Sequence, residues 1–404
     1  MQTNSFEIQK NVFWIGVNDY DLRVFDIVME TKFGTTYNAY LVIGSEKTAL
    51  IDTTKVNFQD DYIAKLKSLY DITKIDYLVM NHTEPDHAGS IAKLLEINPD
   101  LTVIATTAGL NNIKEIINRP FKSIAAKESL EISLGDRTLN FMPLPFLHWP
   151  DTMFTYMKEE AMLFTCDFFG AHYAFEGVLA KNVDSIENYR FALKHYFDSI
   201  MSPFKKFVIR ALDRIKDLKI KYVLTGHGPV VDKTNFEECT HLYREWSKPK
   251  VANILPTVII PYASAYGYTE IMAKAIKEGI MEYYSDKAIV ELYDLVTTTL
   301  ETVIGRIEDA DAFLIGSTTI VGDTVKTVWD VLSTLNGTVH GGKPAAAFGS
   351  YGWSGEAPEF ITTRLNQLKM KTLEPLKIKF NPSVDQLAEI KAYGYKFAQF
   401  MQTN

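Results

Sequence analysis

The chain has 404 residues, 47% of them hydrophobic and 23% charged, which excludes a disordered chain and makes two domains the expectation. A net charge of −8 with no basic run argues against nucleic acid or an anionic membrane surface as a partner. Two cysteines, Cys166 and Cys239, exclude a disulfide framework, and with no signal-peptide pattern a reducing, cytoplasmic setting is expected.

Residues 13–43 have a strand-like pattern, clearest over Tyr37–Ile43, and Gly44–Lys47 reads as a turn. Thr48–Ile51 continues as a strand ending at Asp52, and a helix is expected over Asp60–Leu69. Asp76–Met80 is a short apolar run of the buried-strand type. It empties into His82-Thr83-Glu84-Pro85-Asp86-His87. Helical neighbours fall three and four residues apart, so four metal-binding side chains in six residues fit a loop, with a helix following from Ala88 through Leu95. One His near an acid is usually ordinary surface. Two His and two acids directly after a strand point to metal.

Leu101–Thr106 reads as a strand, Leu110–Ile117 as a helix and Thr138–Leu144 as strand again. Hairpins interleaved with helices suggest two sheets sandwiched between helices. Three more metal-type residues follow strands: His148 in Leu147-His148-Trp149-Pro150-Asp151, Asp167 after Met162–Cys166, and His227 in Gly226-His227-Gly228-Pro229. Each alone has a dull explanation, as a cap or a hydrogen-bonded side chain, but together they repeat one arrangement. Of the eight histidines, His195, His241 and His340 are expected in surface or packing roles, while His172 lies close enough to Asp167 to support the site from outside the ligand set. Seven ligands are too many for one tetrahedral zinc and suit two metals sharing a bridge. Glu84, Asp86 and Asp167 offset three of the four charges of two divalent ions, leaving one for a bridging hydroxide. Mixed imidazole and carboxylate ligation is typical of non-haem iron; by ligand type alone, manganese and zinc stay open.

Lys248-Pro249-Lys250, followed by Pro256, marks a boundary, giving domains over 1–250 and 251–404. The uncharged stretch from Val251 to Thr269 holds Pro256, Pro261 and Gly267, so it reads as linker, strand and loop and not as a membrane span. Thr257–Tyr262 is a buried strand leading into Ser264, Tyr266, Gly267, Tyr268 and Thr269, then a helix to about Tyr283. A hydroxyl-rich loop before a helix cradles phosphate. Without a Walker lysine or spaced glycines, a flavin mononucleotide (FMN) phosphate fits better. Two further strands end in loops, Ala312–Ile315 before Ser317-Thr318-Thr319-Ile320 and Pro344–Phe348 before Ser350-Tyr351-Gly352-Trp353-Ser354-Gly355. Three strand-end loops on a parallel sheet make the crevice where doubly wound folds bind ligands.

The strand-end histidines and aspartate resemble the metallo-β-lactamase fold, and the three later loops resemble flavodoxin. Hydrolases of the first fold generally have a His where this chain has Glu84. That carboxylate, with Leu147–Asp151, resembles the flavodiiron proteins (A-type flavoproteins) over essentially the whole chain. The resemblance implies an α/β architecture: an N-terminal αββα sandwich and a C-terminal doubly wound parallel sheet. One iron takes His82, Glu84 and His148, the other Asp86, His87 and His227, with Asp167 and a hydroxide or oxo bridging. Loop 264–269 takes the FMN phosphate, and Ser317, Thr318, Thr319, Ile320, Ser350, Tyr351, Gly352, Trp353 and Gly355 take the ring; Tyr351 and Trp353 are candidates to stack on it, a core role being the other reading of Trp353. Tyr268 stands where the family often has a small or amide residue.

The activity implied is four-electron reduction of dioxygen to water, with reduction of nitric oxide to nitrous oxide as the alternative. The implied donor is reduced coenzyme F-420 or a separate rubredoxin, since two cysteines cannot build an attached rubredoxin module. A head-to-tail homodimer or dimer of dimers brings flavin to iron. A zinc hydrolase with a vestigial flavodoxin and a non-catalytic gas sensor are the competing classes, which Glu84 and the lack of an output domain disfavour.

Overall fold

The computed structural model describes residues 5–249 and 252–403, in two compact units, Met1–Pro249 and Lys250–Asn404. The junction expected at residues 250 and 251 lies outside the described residues.

The first unit holds two mixed sheets. One runs Phe6–Gln9, Val12–Trp14, Tyr40–Ile43, Thr48–Ile51, Tyr77–Val79, Thr102–Ala105 and Lys122–Ala125 in spatial order, the last four strands parallel. The other runs Glu131–Ser133, Thr138–Pro143, Met153–Met157, Met162–Cys166, Tyr222–Thr225 and Val231–Asp232. Side chains alternate across each sheet because successive strand residues face opposite ways. Tyr40 and Val42 therefore join Phe141, Met162, Phe164 and Leu224 in the core between the sheets. Leu41, Leu50 and Leu78 turn outward to pack with Leu66, Leu94 and Ile113 from helices. Leu163 and Val223 do the same against Leu193, Leu212 and Tyr243 on the other flank. Helix, sheet, sheet and helix follow as the layers, the αββα architecture expected.

Two local expectations need correction. Tyr37–Ile43 is not one strand: Thr35–Tyr37 pairs with Val17–Asp19 and Tyr40–Ile43 joins the large sheet, with the break at Asn38 and Ala39. Helix begins at Pro85 and not at Ala88, in a turn Pro85–Ala88 followed by a separate helix Ile91–Ile97. Proline at the first helical position lacks only an N–H that would have had no partner, so Asp86 and His87 sit on a helical turn.

The second unit is a parallel sheet in the order Ile289–Asp294, Thr257–Ala263, Ala312–Ser317, Pro344–Tyr351, continued by Lys371–Thr372 and Leu376–Lys379. In chain order this is 2-1-3-4-5, the flavodoxin-like doubly wound arrangement, whose ligand crevice lies between the first and third strands. Apolar residues fill both faces: Ile260, Leu314 and Phe348 meet Met272, Ile276 and Phe397 on one side, and Ile259, Phe313 and Ile315 meet Ile307, Val331 and Ile361 on the other. The helix Tyr268–Tyr283 starts within the expected phosphate loop, so Tyr268 and Thr269 belong to its first turn and the loop proper ends at Gly267. No helix among the described residues is long and apolar enough to cross a membrane.

One buried charge in the first unit has a measurable consequence. Lys65 is 1% exposed, its ammonium donating to the Gly16 carbonyl and lying 4.7 Å from the Trp14 ring centroid. Burial pushes its pKa down to about 8, against a smaller upward pull from Asp61. The unfolded chain then binds more protons between pH 8 and 10.5, so this lysine's penalty is complete below pH 8 and lifts as pH rises through that window. Lys65→Met should raise the thermal midpoint at pH 7, and the gain should shrink between pH 8 and 10. A gain that does not change with pH contradicts the assignment.

Candidate metal centre and flavin loops

Four loops at strand ends bring the sequence-predicted ligands to one end of the sandwich. His82 and Glu84 follow Tyr77–Val79, His148 follows Thr138–Pro143, Asp167 follows Met162–Cys166, and His227 follows Tyr222–Thr225. Both sheets contribute, so the centre exists only when the sandwich closes. The loop around His227 passes very close to its neighbours: a Cβ at Gly226 would meet His87 Cε1 at 2.8 Å, and one at Gly228 (φ +73°) would meet the Ala171 carbonyl at 2.5 Å. Only glycine fits at either position.

Among the described residues, donor atoms of His82, Glu84, His148 and Asp167 lie within 4.8 Å of one another, as do those of Asp86, His87 and His227. In the first group Glu84 Oε2 is 3.2 Å from His82 Nε2 and 3.1 Å from His148 Nε2, and Asp167 Oδ2 is 3.5 Å from each. In the second, Asp86 Oδ2 is 3.1 Å from His227 Nε2 and 3.6 Å from His87 Nε2; Asp167 Oδ1 is 3.6 Å and 3.0 Å from the same two nitrogens. The Asp167 carboxylate thus turns one oxygen to each group. Metal–ligand bonds of about 2.0–2.2 Å place neighbouring ligand atoms roughly 3.0–3.5 Å apart, the spacing seen here.

Hydrogen bonding behind the ligands fixes which nitrogen faces the centre. His82 Nδ1 donates to Asp151 Oδ2 at 3.0 Å, and His227 Nδ1 donates to the Thr36 carbonyl at 2.6 Å. Each ring's other nitrogen, Nε2, therefore turns a lone pair inward in the neutral imidazole. Asp151 also accepts from the Thr83 amide at 2.8 Å and hydroxyl at 2.7 Å. Both oxygens of Asp86, and Oδ2 of Asp167, have no hydrogen-bond donor among the described residues although they are buried. Buried carboxylate oxygens facing imidazole lone pairs require a cation, so the donor set fits a metal pair.

The electrostatics agree. Burial alone would lower the pKa of His87 and His148, yet carboxylates override it, Asp86 and Asp167 pushing His87 up to about 10 and Asp167 and Glu84 pushing His148 up to about 9. Burial would raise Glu84, and hydrogen bonds from the protonated forms of His148 and His82 bring it down to about 2. The pocket demands positive charge.

His172 joins neither group. Its Nδ1 meets Thr35 Oγ1 at 2.8 Å, its ring centroid lies 5.1 Å from that of His227, and burial, followed by the neighbouring His227, holds its pKa well below the usual range. His340 is buried with Nδ1 on the Asn336 carbonyl, His241 is exposed, and His195 Nε2 contacts the Glu30 carbonyl. Sequence reading missed Asp151 and Thr36, which hydrogen-bond the His82 and His227 rings, and Asn38, which bonds the backbone on either side of His227; only Asp151 carried a signal, sharing a short run with His148.

In the second unit the flavin candidates divide by exposure. Tyr266 and Trp353 are 85% and 87% exposed at the carboxyl edge of the sheet, which removes the core reading of Trp353. Ile320 is half exposed on the tip of a small hairpin formed with Asp323–Thr324. Thr269 and Ser317 are buried and turn their hydroxyls into the fold: Thr269 Oγ1 meets Ser350 Oγ at 2.9 Å, tying the first loop to the third, and Ser317 Oγ donates to the Thr318 carbonyl at 2.8 Å. Ser264 Oγ accepts from the Glu270 amide at 3.3 Å, and Thr319 Oγ1 accepts from the Ala357 amide at 3.4 Å. A Cβ at Gly352 would strike the Phe380 ring, and Gly355 packs against the Tyr351 ring.

Residues 35–228 match the ODP family beta lactamase description, and residues 260–393 match flavodoxin. The chain is 38% identical to flavo-diiron protein FprA2 of Clostridium acetobutylicum, over 98% of this chain and 99% of that one. It belongs to the flavodiiron proteins. The nitric oxide reductase of Moorella thermoacetica is 35% identical over 97% of both chains. The rubredoxin oxygen:oxidoreductase of Desulfovibrio gigas aligns over 99% of both chains, with a TM-score of 0.71 and 26% identity. As a flavodiiron oxidoreductase, the chain uses FMN and a diiron site, and the hydrolase and sensor readings give way.

Proposed function

We propose that this flavodiiron protein reduces dioxygen to water at a diiron centre in which His82, Glu84 and His148 hold one iron, Asp86, His87 and His227 the other, and Asp167 bridges. The observation that carries it is the Asp167 carboxylate, with Oδ2 toward one group and Oδ1 toward the other. When bound, two ferrous ions and a reduced flavin supply the four electrons that take dioxygen to two waters. The chain's own part is to hold the metals in a pocket where His82 and Asp167 are almost wholly buried and Glu84 and His148 remain 15% and 16% exposed at the side chain, on the side open to solvent. Glu84 is an anionic, hard ligand where an imidazole would favour zinc, and it favours iron. Nitric oxide is a second substrate on the same centre, supported by the name of the Moorella thermoacetica relative.

In the second unit, Ser264, Tyr266, Gly267, Tyr268 and Thr269 take the FMN phosphate at the start of the helix Tyr268–Tyr283. Ser317, Thr318, Thr319, Ile320, Ser350, Tyr351, Gly352, Trp353 and Gly355 take the ring, with exposed Trp353 free to stack on it. All seven proposed metal ligands lie in one unit and all the flavin loops in the other. Following the arrangement that the flavodiiron resemblance implies, we place the reacting flavin and metal pair in different subunits of a head-to-tail homodimer or dimer of dimers. The setting is the cytoplasm, in keeping with two buried, free cysteines.

Metal analysis with oxygen and nitric oxide electrodes tests the activity. We expect two irons per chain and steady oxygen consumption. Asp167→Ala should lose the paired site and about 100-fold or more of the rate with FMN retained, since even outer partners of metal ligands are worth 10–100-fold. Zinc without consumption, or a variant that keeps the parent rate, sinks the reading. Analytical ultracentrifugation should find activity only in dimers or larger species; an active monomer contradicts the two-subunit arrangement.

Two donors fit. The net charge of −8 steers an acidic protein poorly and favours reduced coenzyme F-420, whereas the name of the Desulfovibrio gigas neighbour favours a rubredoxin. Stopped-flow reduction of the bound flavin should be fast with one of the two, and slow reduction by both contradicts the pair.

A further inference from the structure

The loop that carries His227 is fastened from one side by a single short segment. Asn38 Nδ2 donates to the Thr225 carbonyl and to the Gly228 carbonyl, both at 2.9 Å, so one amide spans the loop on either side of the histidine. The Asn38 backbone N–H adds a bond to the Gly226 carbonyl at 2.9 Å. Thr36 completes the clasp, its carbonyl accepting from His227 Nδ1 and its hydroxyl accepting from the Gly228 amide at 2.7 Å. Asn38 is itself held, since its Oδ1 accepts from Trp14 Nε1 at 2.7 Å, and it is 1% exposed. The contact crosses from the segment between Thr35–Tyr37 and Tyr40–Ile43 to a loop 190 residues later. The break in the expected strand is what frees the Asn38 backbone N–H from a sheet ladder for the Gly226 carbonyl.

We propose that Asn38 is a positioning residue that aims His227 at the second metal. Resting on the assignment of His227 as a ligand, the proposal says that this ligand's geometry is set from outside the metal's own loops. A side-chain amide suits the task. Its two N–H groups reach two carbonyls at once, and its oxygen is left to anchor on the indole. With the amide gone, Thr225 and Gly228 lose their common partner, and the loop, glycine on both sides of His227, is held less firmly, by Tyr40 Oη on the Thr225 carbonyl, the Asn38 backbone N–H and Thr36. Among the described residues, no hydrogen bond joins His82, Glu84 or His148 to these groups, and the three should keep their metal.

The test uses full-length protein loaded with iron and FMN, comparing parent, Asn38→Ala, Trp14→Phe and His227→Ala. Iron per chain, affinity for the second iron by chelator competition, the ferric EPR spectrum and FMN per chain are measured together. Asn38→Ala should bind its second iron about 10–100-fold more weakly, as is usual when the outer partner of a metal ligand is removed. It should show the mononuclear ferric signal shared with His227→Ala and retain FMN. Trp14→Phe, which loosens Asn38 without removing it, should show a smaller loss of the same iron, and it decides the matter if Asn38→Ala fails to fold. Parent-like affinity in both variants, or loss of both irons together, overturns the proposal. Two full irons in His227→Ala overturns the ligand assignment, and this inference with it.

Discussion

Three carboxylates confronting four imidazoles in a pocket almost closed to water cannot stand without positive charge. Among the described residues, Asp86 and Asp167 leave oxygens with no donor, and hydrogen bonds on the far side of the His82 and His227 rings turn lone pairs toward those oxygens. Without metal, the carboxylates answer by holding His87 and His148 protonated far above the usual histidine range. Two divalent ions meet the same demand with fixed geometry, and the two oxygens of Asp167 divide the site between them. Metal binding and closure of the sandwich are therefore linked, since neither sheet alone presents a complete ligand set.

Electron transfer follows from what each unit lacks. The first has the donor set for metals, and the second has the 2-1-3-4-5 sheet whose switch-point crevice suits a flavin. Relatives covering nearly the full chain carry names for oxygen and for nitric oxide reduction, so the same two-unit plan serves both gases. On the reading proposed here, preference between them lies in what surrounds the metals and not in the metals' own ligands, because one ligand set serves either.

The proposed ligands could be picked out in the sequence because metals restrict residue type. His82, Glu84, Asp86 and His87 crowd into six positions, and His148, Asp167 and His227 each follow an apolar strand. The three proposed flavin loops stood out for a similar reason, since phosphate and ring need glycine, hydroxyls and aromatics at strand ends. Local geometry was less so. Pro85 started a helix earlier than apolar periodicity indicated, and Gly267 ended the phosphate loop before Tyr268 and Thr269. The least legible layer was the one that aims the ligands. Asn38 and Thr36 act on backbone carbonyls and amides some 190 residues away, and such bonds leave no pattern in residue type or spacing. Thr269 and Ser317 carry hydroxyl bonds that the sequence did not show either, Thr269 Oγ1 meeting Ser350 Oγ and Ser317 Oγ donating to the Thr318 carbonyl, and these tie the proposed flavin loops from within.

Anomalous diffraction from crystals of the full-length protein, collected on both sides of the iron and zinc edges, tests the central claim most directly. Two iron peaks about 3.5–4 Å apart, each beside one oxygen of Asp167, are the predicted result. A single peak, or scattering at the zinc edge alone, would contradict it.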